Sequence, residues 1–79
     1  MNSDDSSGNK DIKVQILESE LKIIMEKEVE MRDLYDEIIN RCENNYICRK
    51  IIAIRDDEIK HIGYVEIMLS LLGIKGEGQ

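Results

Sequence analysis

The sequence predicts an all-α protein, an antiparallel hairpin of two long helices, on three observations. The 79 residues include no Pro, Trp or Phe. Charged residues make up 35% of the chain and are laced through the apolar ones, as on amphipathic helices. The apolar positions recur in alternating steps of four and three, the period of a helix with one face against a neighbour, rather than in the steps of two of a strand.

Taken in order, residues 1 to 10, Met1-Asn2-Ser3-Asp4-Asp5-Ser6-Ser7-Gly8-Asn9-Lys10, are too polar to bury and read as a disordered arm. They do not resemble a secretory signal. Asn9 or Asp11 is positioned to cap the first helix. That helix should run from about 11 to 43, roughly 50 Å at 1.5 Å per residue. Glu18 with Lys22, Glu28 with Arg32 and, further on, Asp56 with Lys60 have ion-pair spacing, although for Glu28 a metal-binding reading, given below, is preferred. Glu43-Asn44-Asn45-Tyr46 reads as the turn, because Asn tolerates left-handed backbone and caps a following helix. The second helix should run from about 46 to 72 and stop at Gly73, leaving 74–79 as a flexible tail. The folded unit is therefore residues 11–73.

Cys42 and Cys48 flank the turn. They read either as two small buried thiols, the commoner state in a reducing compartment, or as a disulfide across the hairpin. A two-Cys metal site lacks a third soft ligand nearby.

A seam emerges from the four-three pattern. Helix one offers Leu17, Leu21, Ile24, Glu28, Met31, Tyr35, Ile38 and Cys42, and helix two Ile47, Ile51, Ile54, Glu58, His61, Val65, Met68 and Leu72. Folding the chain at Asn44-Asn45 pairs these layer by layer, each pair of residue numbers adding to 89, with Glu28 opposite His61 and Met31 opposite Glu58. Ile16, Ile23, Met25, Val29, Ile39, Ile52, Ile59, Ile62, Ile67, Leu69 and Leu71 fall outside this seam, more apolar surface than one hairpin hides. A domain this small has a marginal core. At least a homodimer is expected.

Net charge is −6 with a pI near 4.7, which argues against nucleic acid or an anionic membrane surface as partner. No apolar run reaches membrane-spanning length. Within the seam only Glu28 and Glu58 carry a formal charge, and His61 is the sole His of the chain. Buried carboxylates persist when paired, protonated or metal-bound. Glu58-Ile59-Lys60-His61 is a Glu-x-x-His step, weak alone among 17 acidic residues, but its i,i+3 spacing places both side chains on one helix face. In dinuclear carboxylate bundles two helices give a single Glu each and two give Glu-x-x-His. This chain carries half of that set, so two hairpins related by a two-fold axis would supply four carboxylates and two imidazoles. Oxygen-rich ligands with some nitrogen suit Fe, Mn or Zn.

With Glu28-x6-Tyr35, Glu58-x-x-His61 and a step of thirty residues from Glu28 to Glu58, the chain resembles the ferritin-like proteins over residues 17 to 72, and within them the single-hairpin encapsulated ferritins. The resemblance implies a hairpin that dimerises into a ferritin-like four-helix bundle. It implies a di-iron ferroxidase centre, two irons per dimer, with Glu28, Glu58 and His61 as ligands and Tyr35 close by. It implies dimers assembled into a decameric ring, lodged in an encapsulin shell in the cytoplasm, for iron storage and detoxification. The family's outer entry site carries further acidic residues; Glu30 stands for it here, although Lys27 precedes Glu28. Two other readings use the same residues: a rubrerythrin-like or manganese-catalase-like enzyme acting on peroxide, and a non-enzymatic helical oligomerisation module in which Glu28 and His61 merely pair.

Overall fold

A computed structural model describes the backbone of residues 11–77 and the side chains of residues 11–73. The arm expected over 1–10 and the last two residues of the tail lie outside the described residues. Two helices, α1 (Ile12–Arg41) and α2 (Asn45–Glu77), lie side by side in a rod measuring 61 × 15 × 13 Å. Among the described residues there is no strand, and no helix is long and apolar enough to cross a membrane.

Asp11 is the N-cap of α1. Its Oδ1 accepts from the Lys13 amide at 2.7 Å, and its carbonyl accepts from Gln15 N at 3.0 Å, which satisfies donors that a helix start leaves open. At the other end Cys42 leaves the helix with extended backbone, φ −75° and ψ 134°, its amide donating to the Ile39 carbonyl. The connection is Cys42-Glu43-Asn44. Asn44 then opens α2 twice over: its Oδ1 accepts from Ile47 N at 3.0 Å and its carbonyl from Cys48 N at 2.8 Å. The turn thus sits one residue earlier than the sequence suggests, because it is Asn44 that caps.

Gly73 does not end α2, which continues to Glu77, so the stretch 74–77 is helical rather than a flexible tail. Gly73 keeps no left-handed backbone and a Cβ there would meet nothing; a terminating Gly needs positive φ. Without that conformation the backbone bonds simply propagate.

Two bonds tie the helices together near the turn. Cys42 and Cys48 form a disulfide with Cα atoms 5.8 Å apart, the second of the two sequence alternatives. Arg55 of α2 pairs with Asp36 of α1 and also with its neighbour Asp56 at 3.0 Å. These carboxylates, Asp36 before Asp56, raise the Arg55 pKa further above its ordinary value. Arg32 turns to Asp33 at 3.0 Å instead of to Glu28, and Asp56 takes Arg55 rather than Lys60. These two expected i,i+4 pairs are displaced by shorter-range partners.

The helix–helix contact is rotated relative to the expected seam. Among the described residues Leu21, Ile62 and Val65 are the buried ones. Val14, Met25, Val29, Ile39, Ile52 and Leu69, all outside the expected seam, are half-buried. By contrast seam members Leu17, Ile24, Met31, Ile47, Ile54 and Met68 are 39–49% exposed. The positions shared by both lines, Leu21, Glu28, Tyr35 and Cys42 on α1 with Ile51, Glu58, Val65 and Leu72 on α2, are buried or half-buried. The physical reason is that each helix carries an apolar face wider than a two-helix contact covers. The protomer closes over one edge of that face and leaves the other edge in the open.

Candidate metal centre

Glu28 comes from the middle of α1 and Glu58 and His61 from the middle of α2, where both helices are regular and a side chain's direction is set by the backbone. One ligand atom from each of the three residues lies within 4.8 Å of the others. His61 Nδ1 stands 3.7 Å from Glu28 Oε2 and 3.7 Å from Glu58 Oε1. That is beyond a hydrogen bond to either, a spacing that holds three donors around a common point rather than against each other. The expected opposition of Glu28 to His61 is present, and Glu58 joins the same group although the expected layer set it against Met31.

Exposure rises across the group from 14% for the Glu58 side chain through 24% for Glu28 to 51% for His61. The polar cluster therefore sinks into the hairpin at Glu58 and opens at His61. Glu58 Oε1 is buried without a hydrogen-bond partner, and an orphaned acceptor of this kind costs about 1–3 kcal/mol. The Glu58 pKa is raised. The neighbouring Glu28 carboxyl, placed to share a proton, is the main cause, followed by burial and the Glu28 charge; His61 pulls weakly the other way. Two carboxylates and an imidazole with a buried orphan oxygen fit a divalent cation, which answers the repulsion and the missing bond together.

Tyr35 is half-buried on the same stripe of α1 as Glu28, two turns away and so about 10 Å along the axis. Glu30, the expected entry residue, is exposed and outside the group. It comes two positions after Glu28, which points it to a different face.

Sequence reasoning missed Arg55 and Asp36. They hold α2 on α1 one turn from Glu58, and only a pair 19 residues apart in the chain could have signalled them. Arg32 adds to the site by what it does not do. Taken up by Asp33, it leaves Glu28 free for the cluster.

Comparison with protein families, with curated proteins and with solved structures gives no match. The function of the chain is therefore read from the geometry of the group.

Proposed function

We propose that the chain is one half of a dinuclear metal site, and that two hairpins pair into a four-helix bundle acting as a ferroxidase of the encapsulated-ferritin type. The observation that carries the reading is that the cluster lies on the uncovered edge of the apolar face. Ile24 and Met31 bracket Glu28, and Ile54 and Met68 bracket Glu58 and His61; all four apolar side chains are 39–43% exposed. Water would solvate one face of His61 in a lone hairpin. A second copy laid on this stripe covers the apolar residues and brings a second Glu28, Glu58 and His61 to the same place.

An apolar hollow of about 280 Å³ lined by Leu17, Leu21, Met68, Leu71 and Leu72 extends the stripe toward the open end. It gives a partner helix a place to seat.

Within the paired site Glu28 and Glu58 would bind the cations and neutralise their charge, and His61 would supply one nitrogen to each. Bound iron supplies the one-electron chemistry, Fe(II) being oxidised to Fe(III) as O₂ or peroxide is reduced. The half-buried Glu58 would give up its proton to a bound cation, and the more exposed His61 would face the approach. Tyr35 closes the stripe on the turn side and limits water. The decameric ring and the encapsulin shell belong to the same reading through the resemblance of the ligand pattern, Mn or Zn being substitute ions.

The test is anaerobic Fe(II) titration of the metal-free protein, with oligomer mass followed alongside and oxidation read on adding air. One iron per chain, two per pair of chains, with oxidation lost in Glu58→Ala, His61→Ala, is the expected result. A protein that remains a single hairpin and takes up no Fe(II), Mn(II) or Zn(II) overturns the reading.

A further inference from the structure

We propose that Cys42 and Cys48 are a redox-active pair, exchanging electrons with low-molecular-weight thiols, rather than a permanent structural crosslink. The two cysteines occupy opposite electrostatic ends. Cys42 is the C-cap of α1, where the helix dipole is negative. Cys48 lies in the first turn of α2, its amide bonded to the Asn44 carbonyl at 2.8 Å, where the dipole is positive. No acidic residue occupies that first turn, and Arg49 is the next residue. A thiolate is favoured at Cys48 and disfavoured at Cys42. Both residues are only half-buried, and the proposal requires that a small thiol reach their sulfurs.

The turn is also equipped to survive opening. Asn44 bonds to Ile47 and Cys48, and the Cys42 amide bonds to Ile39, without help from the sulfur atoms. The Asn44 carbonyl oxygen lies 3.4 Å from Cys42 Sγ, within reach of the S–H that reduction creates. The open form is therefore a folded hairpin with satisfied groups, which makes a reversible cycle feasible.

The asymmetry sets the order of the chemistry. A small-molecule thiolate attacks Cys42 Sγ, the S–S bond breaks, and Cys48 departs as the better leaving group. A second thiolate attacks the outer sulfur of the resulting mixed disulfide. Cys42 is released, takes a proton from water, and the two small thiols leave as their own disulfide. Two electrons pass to the protein and both sulfurs end as thiol or thiolate. The reverse sequence closes the clamp at the expense of an oxidised small thiol.

The thiol pair is independent of the metal cluster, so it is tested without metal. The experiment equilibrates the full chain, metal-free, in graded mixtures of reduced and oxidised glutathione, then acid-quenches, alkylates free thiols and weighs the intact protein. The oxidised fraction is expected to pass from nearly all to nearly none across mixtures that leave helix content unchanged. Cys48→Ser is expected to accumulate one glutathione on Cys42. Amide exchange around residues 38–54 should quicken about tenfold or more on reduction, with the rest of the hairpin little changed. A disulfide that resists glutathione until the protein unfolds shows a structural crosslink and overturns the proposal. Thiols that stay unpaired in excess oxidised glutathione overturn it equally.

Discussion

Glu58 is the residue at which folding and binding work against each other. Its raised pKa means that the folded chain holds a proton more tightly there than the unfolded chain does. The associated stabilisation is complete below the ordinary carboxylate range and is lost as pH rises through the raised value. The metal-free protein should therefore lose stability through this group as pH rises above the ordinary carboxylate range, as thermal unfolding in chelator would read. Glu58→Gln should flatten that slope and raise the neutral-pH melting temperature by about 4–8 °C, for a gain on the order of 1 kcal/mol. The same substitution should abolish any rise in melting temperature produced by Fe(II) or Mn(II). His61→Ala leaves both carboxylates in place but removes the nitrogen. Loss of a group behind a ligand costs about 10–100-fold in metal affinity, so a fall of at least that size is expected for His61 itself, measured by competition with a chromophoric chelator.

At the scale of the helices, the turn end is tied and the open end is not. The disulfide closes a short loop, worth about 2 kcal/mol by chain entropy, and Arg55 with Asp36 adds a tie between the helices just inside it. Cys42→Ser, Cys48→Ser should lower stability by roughly that 2 kcal/mol in oxidising buffer and by little in reducing buffer, as denaturant unfolding in both will show. Asn44→Ala removes the Oδ1 that accepts from Ile47 and should cost about 1 kcal/mol. Helix existence, the place of the hairpin and the identity of the three clustered side chains were all legible in the sequence, because each depends on local period or local chemistry. The end of α2 was not. Gly73 is a terminator only with left-handed backbone, and residue type does not dictate that conformation.

For the whole molecule the deciding quantity is the apolar surface left uncovered. Fifteen large hydrophobic residues stand exposed among the described residues, on a chain whose buried core is Leu21, Ile62 and Val65. Ile24 is 43% exposed on the stripe that holds the cluster, and Ile16 is 53% exposed away from it. If two hairpins pair over this stripe as proposed, Ile24→Asp should give single hairpins without paired iron binding, whereas Ile16→Asp should leave the pairing and iron uptake unchanged. Sedimentation at matched concentration distinguishes the two, and an Ile24→Asp protein that still binds two irons per pair would move the interface elsewhere.

The sequence by itself determined the all-α class, the antiparallel hairpin, and the meeting of Glu28, Glu58 and His61. All three result from a helical period and a single fold-back point. Only the tertiary structure decided which edge of each apolar face the helices use against each other. Both edges repeat every three to four residues and are similarly hydrophobic, so period alone cannot rank them. The packing leaves His61 exposed among exposed Ile and Met side chains.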